Sequence, residues 1–208
     1  SIPQKIVERL NAQGIAFEVI ENSALSPLHP LCSADQIPAA QIVQVSLLED
    51  GLGRVQALLP ADCLLDLQRL NDHKGRNLTA LNRDACRQLA SSLGVDTLPP
   101  LPLSDSLPLV VDRRLLKQPT LYLQIKQSNQ YLTLPQVEFA KLVERAEISD
   151  FCIPLSKLTQ PKDDRKAVDQ AVQQFTSLRI KQRLEQTLEM PPLPETAERI
   201  IKLRIDPD

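Results

Sequence analysis

The sequence predicts a mixed α/β fold, and three observations carry that reading. Strand-like runs come in neighbouring pairs joined by short turns. Amphipathic helical segments separate the pairs. The regular strand-helix-strand alternation of a doubly wound sheet is absent.

Ile2 to Ala12 reads as a short amphipathic helix, with Ile6, Val7 and Leu10 on one side and Gly14 as its stop. Ala16 to Glu21 alternates as a strand. Ser26-Pro27-Leu28-His29-Pro30 reads as a rigid loop leading to a helical turn begun by Ser33. Ile42 to Leu48 and Arg54 to Leu59 form a hairpin around Asp50-Gly51. Asp62 to Leu70 has a helical pattern, and Asn77 to Leu81 a short strand pattern. Asn82 is placed to cap a helix that ends at Gly94. After the proline-rich Leu98-Pro99-Pro100-Leu101-Pro102 come strands at Leu109 to Asp112, Thr120 to Lys126 and Gln130 to Leu134. A helix over Pro135 to Arg145 follows, with Pro135 in a first turn that tolerates it.

Beyond Pro154 the chain changes character. Ser156 to Arg165 reads as a linker, and Asp164 to Met190 as one long helix. Val168, Ala171, Val172 and Phe175 share one face of it, whereas Ile180, Leu184 and Leu188 lie roughly opposite. Such a helix is suited to bridging two bodies. The expected division is therefore 1–155, a linker and bridging helix over 156–190, and a further segment over 191–208.

Composition narrows the function classes. The 208 residues carry a formal net charge of -2, which exerts no general pull toward nucleic acid or anionic lipid. No apolar run approaches the length of a membrane span. Cys32, Cys63, Cys86 and Cys152 are scattered, which suggests reduced thiols in the cytoplasm. Those cysteines and two histidines offer no metal-ligand spacing, and no cofactor is implied. Seventeen prolines against five glycines is unusual, and no glycine follows Gly94. His29 and Cys32 stand three apart without an orienting third group, and His73 reads as a surface loop residue.

The string from Gln41 to Asp50, then Leu59-Pro60-Ala61-Asp62 with Leu65-Asp66-Leu67, Leu98-Pro99-Pro100-Leu101, and Leu107-Pro108-Leu109-Val110-Val111-Asp112 resembles the YbaK family. These are aminoacyl-tRNA editing domains, also found inserted in or associated with prolyl-tRNA synthetases. The resemblance covers residues 1 to 155. It implies a mixed, largely antiparallel, partly closed sheet with helices around it.

The family's signature in the first string reads roughly Val-Ala-Lys-Thr-Leu-Leu, with the lysine in the substrate pocket; Gln44 is read at that lysine position. A glutamine amide can neither supply a proton nor hold a carboxylate by charge. Asp96 and Pro102 stand where the family often has glycines, and Gln124 to Gln130 replaces a glycine-rich turn. The resemblance thus implies a non-catalytic module whose pocket is lined by Gln44, Thr97, Leu98, Pro99 and Pro100. It would take a small molecule or an aminoacyl group. An aminoacyl-tRNA deacylase with a substituted catalytic group is the alternative, and a structural spacer a third reading. Lys117 and Lys126 are the nearest substitutes for the missing ammonium. Lys74, Arg76, Arg83 and Arg87, with Arg113, Arg114 and Lys117, are the groups through which weak tRNA contact would run.

The stretch from Glu189 to Asp208, with Met190-Pro191-Pro192-Leu193-Pro194 and Asp206-Pro207-Asp208, resembles the opening of an HD-related output domain (HDOD). That likeness implies a signal-transduction protein, with protein partners reached through the C-terminal helix and HDOD region. The chain stops where that family continues, so a fragment is expected.

Overall fold

A computed structural model describes residues 1–21, 37–126 and 130–158. The loop at Ser26 to Pro30, His29, Cys32, the long helix and the HDOD-like tail lie outside those residues.

The amphipathic start forms α1 (Gln4–Ala12), burying Ile6 and Leu10. Gly14 at φ 65° ends it, and the Ile15 amide returns to the Leu10 carbonyl at 2.9 Å. Strand β1 (Glu18–Glu21) follows. After a 3-10 turn at Ala39–Gln41, β2 (Ile42–Asp50) and β3 (Gly53–Pro60) form the expected hairpin.

The helix expected from Asp62 begins later. Cys63–Leu65 forms a three-residue strand, β4, and only then does Asp66 cap α2 (Leu67–Lys74) by accepting from the Arg69 amide. The reason is a long-range partner. All three β4 residues are buried, and they pair with β10 (Cys152–Pro154), about ninety residues downstream. Strand β5 (Thr79–Ala80) pairs with β2. Asn82 caps α3 (Arg83–Ser92) as its position suggested, accepting from the Ala85 amide at 2.8 Å.

The second half contains β6 (Leu109–Asp112), a 3-10 helix at Arg113–Lys117, β7 (Thr120–Ile125), β8 (Gln130–Pro135) and α4 (Gln136–Leu142). Three short elements that the sequence pattern did not reveal close it: β9 (Glu147–Ser149), β10 and α5 (Leu155–Leu158).

The main sheet runs β1-β8-β7-β2-β3-β6-β9, with β5 branching from β2. Four pairings are antiparallel (β1·β8, β7·β8, β2·β3, β2·β5) and three are parallel (β2·β7, β3·β6, β6·β9). The fold is therefore mixed α/β, as predicted.

Strand alternation sends successive side chains to opposite faces. One face carries Val43, Leu58, Val111, Leu121, Leu123, Leu132 and Leu134, packed against Ile6 and Leu10 of α1 and Phe139 and Leu142 of α4. The other carries Leu48, Val55, Ala57, Leu59 and Val110, covered by Cys63 and Leu65 of β4, Leu70 of α2, and Phe151 with Cys152. Both faces have fully buried phenylalanines, Phe139 and Phe151.

Candidate functional site

Gln44 lies on β2 opposite Leu59, on the face covered by the β4-β10 ribbon. Its Nε2 donates to the Pro60 carbonyl at 2.7 Å and to the Cys63 carbonyl at 2.9 Å. These two acceptors flank the turn between β3 and β4. The same turn is held by the Ala61 amide on the Ile42 carbonyl at 2.9 Å and the Leu155 amide on the Asp62 carbonyl at 2.9 Å. The half-buried Gln44 amide thus acts as a clamp on the main chain.

The proline-rich loop is held from the opposite face. Gln56 alternates with Val55 and Ala57, so it points with Leu58 toward the α1 side, and it is 1% exposed. Its Nε2 donates to the Pro99 carbonyl at 3.2 Å and the Leu101 carbonyl at 3.0 Å, while its main-chain amide donates to the Pro108 carbonyl at 2.8 Å. One residue therefore fixes the loop at both ends.

Gln44, Thr97, Leu98, Pro99 and Pro100 were expected to line one pocket. The register instead sets Gln44 on one face of the sheet and the carbonyl anchors of Pro99 and Leu101 on the other. Leu98, Pro99 and Pro100 are buried, and Thr97 is exposed. Gln56 went unremarked in the sequence. Its signal was a polar side chain inside the apolar run Val55 to Leu59.

Asp112 ends β6 almost wholly buried. One carboxylate oxygen accepts from the Arg114 amide at 2.9 Å, capping the 3-10 helix, and the other accepts from the Phe151 amide at 2.8 Å. Cys63 and Cys152 lie close by as free thiols. Contact with the Cys63 thiol, burial and the Asp112 charge push the Cys152 thiol far above its ordinary range, so it stays protonated and is a poor nucleophile.

The cationic groups are mostly committed or peripheral. Lys117 and Lys126 are both exposed. Arg76 holds the Asp50 carboxylate through two bonds of 2.6 Å and reaches the Gly53 carbonyl at 3.1 Å. Lys74 pairs with Glu147, and Arg113 with Asp150 at 3.4 Å. Arg83, Arg87, Arg114 and Lys117 are exposed without an ion pair among the described residues. His73 is exposed at the end of α2. Among the described residues, no three His, Cys, Asp or Glu side chains gather as a metal site, and no helix is long and apolar enough to cross a membrane.

A family model for the aminoacyl-tRNA editing domain matches residues 27–142, more than half of the chain, so the chain belongs to that family. Among solved structures, it is similar to a protein from Marinobacter aquaeolei VT8 provisionally named a signal transduction protein. The identity is 32% at a TM-score of 0.65, over 100% of this chain and 44% of that one. The chain thus spans less than half the length of that relative. It is also similar to a provisionally named trans-editing enzyme for prolyl tRNA synthetase, at 18% identity and TM-score 0.57, covering 71% of this chain and 94% of that one. A hypothetical protein, APE2540, matches at 20% identity and TM-score 0.59, over 72% of this chain and 100% of its own. The last two likenesses bear on the fold alone. No curated protein matches the chain.

Proposed function

We propose that the chain is a binding module built on the editing fold, without ester hydrolysis, and part of a longer signalling protein. The observation that carries this reading is the Gln44 amide on the Pro60 and Cys63 carbonyls. In the resemblance, Gln44 stands at the lysine position of the YbaK signature. A group there that is neutral, cannot donate a proton at ordinary pH, and serves two main-chain acceptors stabilises the fold rather than a reacting ester. The candidate replacements, Lys117 and Lys126, are exposed, which supports the same conclusion. Asp96 and Thr97 are exposed as well, and Pro102 has no amide hydrogen to offer a substrate carbonyl.

The signalling context rests on the likeness of Glu189 to Asp208 to an HDOD opening. The provisional name of the longer Marinobacter relative agrees with it. In this reading the module takes a small molecule or an aminoacyl group, and its output passes to protein partners through the C-terminal region. Any contact with tRNA would run through the exposed Arg83, Arg87, Arg114 and Lys117, because Arg76, Lys74 and Arg113 are already paired with carboxylates.

Incubating the chain with a panel of mischarged tRNAs tests the proposal. The expected result is amino-acid release equal to the buffer blank. Release above blank that survives purification to homogeneity would return the chain to the deacylases.

A further inference from the structure

The β4-β10 ribbon stands apart from the main sheet and is three residue pairs long. A two-stranded piece of that length is not stable alone, so its closure depends on the ties around it. One set of ties leads to Gln44. The other leads to the point from which the chain runs on toward its C-terminal residues.

The hydrogen bonds show how the two are joined. The Asp66 amide donates to the Phe151 carbonyl at 2.7 Å, and the Leu155 amide to the Asp62 carbonyl at 2.9 Å. Bonded and non-bonded pairs alternate along an antiparallel ribbon, so Leu64 and Ile153, midway between those contacts, form a bonded pair. The main-chain groups of Cys63 therefore point away from β10. From that other edge the Gln44 carboxamide meets the Cys63 carbonyl at 2.9 Å. Strand β4 is gripped along both edges, by β10 on one and by Gln44 on the other.

The β10 side is firm at its start and loose at its end. Phe151 is fully buried, and its amide is held by the Asp112 carboxylate at 2.8 Å, which ties it to the end of β6. Beyond Cys152 the packing thins. Ile153 and Pro154 are half-buried, Leu155 is 42% exposed, and α5 buries none of its four residues. Phe151 is thus a fixed point, and the segment after it is the part able to come away.

We propose that residues 152–158 form a latch on β4 whose strength Gln44 sets. Drawing the carboxamide off the Pro60 and Cys63 carbonyls slackens β4, and β4 then loosens its hold on β10 and α5, from which the chain continues to Asp208. The inference rests on the binding-module reading above and supplies the route by which a change at Gln44 reaches the C-terminal region. Such coupling is reciprocal, so loosening the exit must also loosen the Gln44 carboxamide.

Amide exchange followed by NMR in the full chain tests the latch. In the native chain the Ile153 and Leu155 amides should exchange together, and faster than those of the β7-β8 hairpin. Gln44→Leu should speed both by the same factor, about tenfold, the scale of one lost hydrogen bond. Gln56→Leu, which frees the proline loop on the opposite face, should leave them unchanged. Leu155→Pro removes the amide that reaches Asp62 at a first helical position, where proline is tolerated. It leaves Gln44 in place and should speed exchange of the Gln44 side-chain amide several-fold. Ribbon amides no faster than the hairpin's, an unchanged rate in Gln44→Leu, an equal response to Gln56→Leu, or an unmoved Gln44 amide in Leu155→Pro would each overturn the proposal. No tRNA enters these measurements, so the latch can fail while the non-hydrolytic reading stands.

Discussion

Two glutamines on neighbouring strands, Gln44 and Gln56, do the same work on opposite faces of one sheet. Each donates from its Nε2 to two main-chain carbonyls: Pro60 and Cys63 for Gln44, Pro99 and Leu101 for Gln56. They differ in burial, since Gln56 is enclosed and Gln44 half-buried. They also differ in what they hold, a tight turn in one case and a long proline loop in the other. A carboxamide is the side chain suited to both tasks, because it supplies two donors without the desolvation cost of an ammonium. The pair teaches that a polar residue inside an apolar strand of this fold can mark an anchored loop rather than chemistry.

The comparison is broken most severely at Gln56. Gln56→Leu leaves the Pro99 and Leu101 carbonyls without their buried donor, and should lower stability by about 3 kcal/mol in chemical denaturation. Gln44→Leu removes the bonds to the Pro60 and Cys63 carbonyls where water has partial access. Its expected cost is about 1.5 kcal/mol. If the two changes cost the same, the difference in burial does not govern the clamps. If Gln44→Leu is silent, the Gln44 clamp contributes nothing.

Gln44→Lys sharpens the functional side. A lysine can still donate to Pro60 and Cys63, so the fold should persist with a loss near or below that of Gln44→Leu. With the ammonium held by those carbonyls, mischarged tRNA should remain intact. Rapid deacylation by this variant would show that the old pocket is otherwise complete.

The smallest effect belongs to a third anchored turn, held by charge. Arg76 beside Asp50 holds the Asp50 carboxyl well below the usual carboxylate range, helped by the Leu52 and Asn77 amides. A depressed folded-state pKa contributes stability above the unfolded carboxylate pKa, near 4, and that contribution is lost as pH falls through the lower folded value. Thermal melts of the native chain and Asp50→Asn should therefore differ most near neutral pH and converge in strong acid. The effects of Gln44→Leu and Gln56→Leu should be the same at both ends of that range. A pH-independent Asp50→Asn effect would separate the Asp50 contribution from its charge.

Much of the framework was legible because it is local. Asn82 and Gly94 bound α3, Asp50-Gly51 set the hairpin, and strand-like runs marked β6, β7 and β8. What was missed depends on distant partners. Cys63–Leu65 looks helical until β10 pairs with it, and three-residue strands such as β9 and β10 carry too few residues to show a period. The site was less legible than the fold for the same reason. Which face Gln44 presents follows from the register against Leu59, and no motif prints a register.

Hydrogen exchange of the Gln44 side-chain amide, followed by NMR in the full chain, tests the central claim most directly. Two inequivalent protons that exchange slowly, though faster than those of the enclosed Gln56, are predicted. Exchange of the Gln44 amide at the rate of a free carboxamide would show that its donors face solvent, and the clamp would be refuted.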